Sequence, residues 1–475
     1  MALEARKRAT DYGFGRKRAM KKGIDQEIKG RRLSRRMLLQ ASAGIAGLAA
    51  TGGISFPKPA IAQAAGFDWK RFKGEHLEVL MAKGPRGDLL QQYRKEFEAL
   101  TGMTVGDEQV PEQQQRQKTA IEFNSGNTSF DVLMIPYHVQ KKMFGKNKWM
   151  LDLRPFLADA KLTAPDYDVA DFAKGAIDYA TQADGRLDSI PINLDYFILY
   201  YNKELFAQKG VAYPKNFDEM AAAAENLNDP KNGVSGFVLR GVKNANVVVW
   251  TDLMLGWGRD PITKDGALPD DADAVGAATL YKTLITSYAP QGSVQFNWNE
   301  CQSLFALGKA AMWIDGIGFA LPLEDKAKSK VVGKVGYGVM PMGPKAQHSA
   351  LFGDGMAVSA FTKKKEAAWL YVQWATNKTM QARNLTGGYG SPGRNSSFEM
   401  AKTATDLKAP REWVDCMSGS IKIAKPGLPE IVAVTEFRDI YGIALTNMIQ
   451  GGDPATELKK ASEQFKPILA KTENG

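Results

Sequence analysis

A chain of 475 residues, 44% hydrophobic and 24% charged, has the composition of a soluble globular protein and the length for two to three domains with large cores. Its net charge of +10 is confined to one end: residues 1–62 hold 14 Lys and Arg against 4 Asp and Glu, which leaves 48 of each sign in residues 63–475. A neutral body lacks the basic surface that phosphate backbones require, so nucleic acid is excluded as an expected partner.

The basic leader carries Ser34-Arg35-Arg36-Met37-Leu38-Leu39, which resembles the twin-arginine export motif. The apolar stretch from Met37 to Phe56 is rich in Ala, Gly, Ser and Thr, which makes it a weak membrane insert. Lys58 precedes a small-x-small cleavage pattern, Ala60-Ile61-Ala62. The expectation is a signal peptide over 1–62, cleaved near Ala62, with the twin-arginine translocase as partner during export and the periplasm as destination. With no Cys beside that point, no lipid anchor is expected there.

Beyond the leader, Leu77–Ala82 reads as a buried strand, Gly84-Pro85-Arg86-Gly87 as a turn, and Asp88–Leu100 as a helix with Leu89, Leu90, Tyr93, Phe97 and Leu100 inward. Gly102 stops that helix, and Met103–Val110 is a second strand. Residues 112–125 read as helix and Asp131–Ile135 as a third strand ending at Pro136. This βαβα alternation predicts a mainly parallel sheet, with ligands beyond the carboxyl ends of its strands. Later come strands at Tyr196–Tyr201, Ala310–Ile314, Lys334–Met340 and Phe352–Ser359, helices at Glu300–Leu307 and Lys363–Thr376, and a helical tail over 430–470. Trp369 and Trp374 fall on helical spacing that predicts core positions. Cys301 and Cys416 are open to two readings, buried thiols or one bridge.

Several short segments, in order, carry a resemblance. They are Phe97-Glu98 with Thr101-Gly102, Phe130-Asp131-Val132-Leu133, Asp184-Gly185-Arg186, Ile190-Pro191, Leu199-Tyr200-Tyr201-Asn202-Lys203-Glu204-Leu205-Phe206, Gly308-Lys309-Ala310-Ala311-Met312 with Gly316, the Gly353/Gly355 strand, and Gly390-Ser391-Pro392-Gly393-Arg394. Over roughly residues 75–475 the chain resembles the extracellular solute-binding proteins of ABC importers, the family of maltose- and other sugar-binding proteins. That resemblance implies an α/β fold of the type II periplasmic-binding-protein class, two hinge-linked lobes with the ligand cleft between them. Carried onto this sequence, the lobes are 67–192 plus 346–395 and 193–345 plus 396–475. It also implies a monomer that binds a carbohydrate, sugar or sugar alcohol, and delivers it to the permease subunits of an importer, with no cofactor and no catalysis.

Sugars present apolar ring faces and hydroxyl edges, which call for aromatic platforms beside Asp, Asn, Arg and Glu. The expected ligand-binding residues are Lys83, Arg86, Tyr137, Asp195, Tyr196, Trp250, Trp298, Trp313, Asp315, Asp354, Tyr389 and Arg394. Against them stand the ordinary roles of Trp as core filler and of Asp as turn cap. The run Gly388–Gly393 matches GxGxxG but follows a helix and contains Pro392, which argues against a dinucleotide site. His76, His138 and His348 form no metal-binding spacing. Two alternatives remain at this point: an exported carbohydrate-active enzyme, and a binder of polyamines through Asp195, Asp315 and Asp354.

Overall fold

The structure, a computed structural model, describes residues 66–473. The twin-arginine segment and the cleavage point expected near Ala62 lie outside the described residues. The strands are β1 (His76–Ala82), β2 (Thr104–Val110), β3 (Val132–Pro136), β4 (Ile190–Asn202), β5 (Met312–Gly316), β6 (Val335–Val339), β7 (Ser349–Val358) and β8 (Ala424–Pro426). They form one eight-stranded sheet in the order β2-β1-β3-β7-β4-β5, with β6 also on β4 and β8 on β7.

The expected mainly parallel sheet holds only for part of this order. β1 is parallel to β2 and β3, and β7 to β8, whereas β3/β7, β4/β7, β4/β5 and β4/β6 are antiparallel. Helices return the chain after β1 and β2, so those strands run the same way. The chain then leaves along β4 and comes back along β7, which sets these two in opposite directions.

β4 is longer than the expected Tyr196–Tyr201. Its first part, Ile190–Tyr196, pairs with β7, and Phe197–Asn202 pairs with β5 and β6. A register shift between Pro191 and Asn193 marks an irregularity of the kind that bends a strand. Alternation along β4 then feeds two cores. Phe197 and Leu199 join one with Trp250, Met254, Tyr281, Phe437 and Tyr441. Ile198 and Tyr200 join another with Phe305, Trp313, Trp413 and both cysteines, which are free thiols. A third core gathers Leu77, Leu90, Phe97, Phe123, Leu133 and Ile190 with Trp369 and Trp374, as the helical spacing of those tryptophans predicts. Each large apolar side chain taken out of water there contributes about 1.5–3 kcal/mol.

Two local differences matter for the site. The first helix begins at Pro85 rather than Asp88, because proline suits the first helical position and Gly84 supplies φ 154° ahead of it. Arg86 therefore sits in a rigid first turn, not a free loop. The tail forms two helices, Val434–Ile449 and Pro454–Glu473, broken at Gly451 with φ 112°.

Candidate functional site

Three elements bring charge together beside the crossing strands. Arg86 Nη2, from the first turn of the helix Pro85–Thr101, donates to Asp195 Oδ2 on β4 at 2.7 Å. Arg86 Nε lies 3.4 Å from Asp354 Oδ2 on β7. Asp195 Oδ1 also accepts the Gly318 amide at 3.0 Å. Space for this cluster comes from glycine: a Cβ on Gly316 would fall 2.6 Å from Asp195 Oδ2. Burial opposes the charge of Arg86, yet Asp195 and Asp354 outweigh it and raise its pKa. Burial pushes the Asp354 carboxyl up to about 6 against the pull of Arg86.

A second pair is anchored on β5 by Asp315. Arg240 grips Asp315 through both Nε (2.9 Å) and Nη2. Asp315 also accepts Trp313 Nε1 at 3.1 Å and the Gly316 amide at 2.8 Å. Burial raises Asp315 while the pair raises Arg240; four donors on its oxygens make the ionised carboxylate the form the geometry satisfies. Above the pair stands an aromatic column. Trp298 stacks on Phe319 at 4.7 Å and 8°, Phe319 on Trp313 at 5.9 Å, and Trp313 on Tyr200 at 4.7 Å.

Arg240, Trp298 and Phe319 border a cavity of about 760 Å³, walled also by Lys83, Glu112, Arg116 and Arg438 among others. Glu112 and Arg116 stand one turn apart at the start of the helix Glu112–Asn124. Burial acts against ionisation of Glu112, but Arg116, Arg240 and Arg438 hold it below the ordinary carboxylate value. His138 is driven well below its ordinary value by burial and then by Arg438 and Arg116, so its ring is neutral. The chemistry on offer is recognition: a flat aromatic face, fixed guanidinium forks and carboxylates around a polar cavity.

Residues 83–382 match the family described as bacterial extracellular solute-binding protein. The chain belongs to this family. An erythritol/L-threitol-binding protein of Mycolicibacterium smegmatis is 27% identical over 470 residues, covering 91% of this chain and 96% of that one. A probable amino-acid ABC transporter periplasmic-binding protein of Sinorhizobium fredii is 27% identical over 360 residues, 72% of this chain and 78% of the other. The crystal structure of an ABC transporter solute-binding protein from Agrobacterium radiobacter in complex with ribitol superposes with a TM-score of 0.76 at 26% identity, covering 83% of this chain and 99% of that one. The type II two-lobed architecture expected from sequence is the fold of this solute-binding protein.

The structure places seven of the twelve expected site residues in three groups. Lys83 and Trp298 line the cavity. Arg86, Asp195 and Asp354 form the first charge cluster, while Asp315 and Trp313 lie behind Phe319. Tyr389 reaches the first helix instead, donating to Gln92 Oε1 at 2.7 Å.

The remaining four serve packing. Tyr196 is buried in the core, and the buried Tyr137 accepts from Ser189 Oγ at 3.3 Å beside Gly355. Trp250 stacks on Tyr441 at 5.5 Å and donates to the Ala274 carbonyl at 3.2 Å, because its helix Asn246–Gly256 is buried on every side. Arg394 spends its donors on the carbonyls of Thr376, Asp168 and Tyr167 and on Asp171. Among the described residues no cluster is placed to hold a metal ion, and no helix is long and apolar enough to cross a membrane.

Sequence reasoning missed Glu112, Arg116, Arg240, Phe319 and Arg438. Only Arg438 carried a clear signal. It lies on the apolar face defined by Val434, Tyr441 and Leu445, where a charged side chain needs a reason.

Proposed function

We propose that this protein captures a polyhydroxylated carbohydrate, a sugar or sugar alcohol, between its lobes and hands it to the permease of an ABC importer without altering it. The observation that carries this reading is the cavity of about 760 Å³ with the Trp298–Phe319 stack on one wall and guanidinium and carboxylate groups on the others. Aromatic faces cover the C–H surface of such ligands, and charged forks bind their hydroxyls. Erythritol, threitol and ribitol, the ligands named for two relatives, have this chemistry. Asp195, Asp354 and Asp315 already face Arg86 or Arg240, which leaves polyamines poorly served.

The lobes are 67–192 plus 346–395 and 193–345 plus 396–475, and they close about β4 and β7 over the ligand. The protein works as a periplasmic monomer after twin-arginine export and removal of residues 1–62. Lys83, Arg86, Trp298, Asp315 and Asp354 are the sequence-expected residues retained for this cleft, with Arg240 and Phe319 added.

Melting of the purified protein against sugars, alditols, amino acids and polyamines tests the reading. A ligand at 100 times its Kd stabilises by about 2.7 kcal/mol, enough to raise Tm by a few degrees. Stabilisation by alditols or sugars recovered unchanged supports it. A response confined to amino acids or polyamines, or consumption of the ligand, overturns it.

A further inference from the structure

Arg438 is 4% exposed and lines the cavity, and Glu112 and Asp439 act on its charge only at longer range. Its Nε donates to the Asn244 carbonyl at 3.2 Å, its Nη1 is buried without an acceptor, and among the described residues it forms no salt bridge. The carboxylates nearby are otherwise engaged. Asp439 accepts from Asn244 Nδ2 at 3.0 Å, Glu300 accepts the Asn297 amide at 2.8 Å, and Asp88 faces Gln109 Nε2 at 3.3 Å. Glu112 reaches Arg116 only at 3.5 Å. The guanidinium groups here are unevenly matched: Arg86 pairs with two acids, Arg116 and Arg240 with one each, and Arg438 with none at salt-bridge distance.

From this imbalance we infer that the ligand is an acidic polyol, whose carboxylate is held by Arg438 and Arg116 while its hydroxylated chain runs toward the Trp298–Phe319 wall. A buried guanidinium without a counter-charge costs several kcal/mol, and neutral hydroxyls offset that only in part. A carboxylate offers two charged acceptors in the geometry of the fork. Burial, then the neighbouring Arg116, hold Arg438 well below its ordinary pKa, against the pull of Glu112 and Asp439.

Arg116 and Arg438 also come from different cores. The helix of Arg116 packs through Phe123 on the core of β1 and β3, and the helix of Arg438 through Phe437 and Tyr441 on the core of Trp250. A shared anion therefore ties the lobes together and cancels the repulsion between two like charges across an empty cleft.

The inference rests on the carbohydrate reading, and paired ligands separate the two. Calorimetric titration of the full chain, freed of ligand, compares ribitol with ribonate, glucitol with gluconate, and ribitol with ribitol 5-phosphate. We expect each aldonate to bind at least tenfold more tightly than its alditol. Arg438→Met should weaken the aldonate about 10- to 100-fold, the worth of a charged hydrogen bond, and the alditol less than about threefold. The Tm of unliganded Arg438→Met should equal or exceed that of the wild type. Alditol affinity equal to or above aldonate affinity overturns the carboxylate and leaves the carbohydrate reading standing, as does binding of the phosphate alone. A fall in the unliganded Tm of Arg438→Met with unchanged aldonate preference makes Arg438 structural and overturns its role. Silence across alditols, sugars and acids overturns both readings.

Discussion

Arg86 Nη2 and Asp195 Oδ2 meet at 2.7 Å although 109 positions separate them in the chain. Their contact fastens the first turn of the helix Pro85–Thr101 to β4, the strand that pairs with β7 along its first part and with β5 and β6 along its second. Asp354, on the returning strand β7, shares the same guanidinium.

Removing that guanidinium leaves two carboxylates in one largely buried site. Arg86→Met should lose about 3–5 kcal/mol at neutral pH, the cost of breaking a buried pair. Part of the loss should return near pH 5, where Asp354, already raised to about 6 beside its cation, accepts a proton. Urea denaturation at pH 5.0 and 7.5 measures both effects. An equal deficit at the two values would show that the damage is packing rather than charge.

Trp298 and Trp250 make a matched pair of tests. Trp298 lines the cavity and stacks on Phe319, so Trp298→Ala should weaken a carbohydrate ligand by about tenfold or more, in keeping with the worth of an aromatic contact and the face it covers. Trp250→Ala empties a buried site and should cost about 3–5 kcal/mol of stability while leaving the Kd of the folded fraction unchanged. Titration and denaturation of both variants should show opposite patterns.

That contrast marks what the sequence made legible. The parallel opening, β1 to β3, was readable because short apolar runs alternate with helical spacing over a continuous stretch. Arg86 was readable because it follows the carboxyl end of β1, where an α/β sheet presents its ligands, and Asp195 and Asp354 because each carboxylate interrupts an apolar or glycine-rich strand. Trp250 was misplaced because aromatic character says nothing of facing, and a helix buried all round leaves no polar side to read. Arg240 and Phe319 were invisible for the opposite reason. Neither stands in a motif, and each gains its role only when β5 folds against β4. The direction of β7 depends on the path by which the chain returns beside β3 and β4, which no local pattern records.

Arg394 illustrates the same limit with a measurable consequence. Its guanidinium joins the carbonyls of Tyr167, Asp168 and Thr376 in one planar fork over the Phe172 ring at 3.9 Å. Lysine keeps the charge and loses the fork. Arg394→Lys should therefore cost about 2–4 kcal/mol, mostly from carbonyls left without donors, with ligand affinity unaltered. A Kd shift beyond about threefold at constant stability would return Arg394 to the binding site.

Three buried acids give stability an unusual dependence on pH. Burial raises Asp354 to about 6, Asp188 to about 7 and Asp252 to about 8, from an ordinary value of 3.8. Between the ordinary and raised values the folded protein holds protons that the unfolded chain has released, so stability falls as pH rises through that window. His138, held neutral, works the other way below its ordinary 6.5, where only the unfolded chain takes up the proton. Asp252 isolates the effect: one oxygen accepts the Ala350 amide at 2.7 Å, and the other is buried with no partner. Asp252→Asn cannot titrate and nearly keeps the shape. Its stability relative to the wild type should grow by up to about 1.4 kcal/mol per pH unit from pH 4 and level off above about 8. Denaturant melts of both proteins at half-unit steps from pH 5 to 9 follow that difference. Parallel profiles throughout would mean that Asp252 is ionised in the folded protein, with a partner its surroundings do not display.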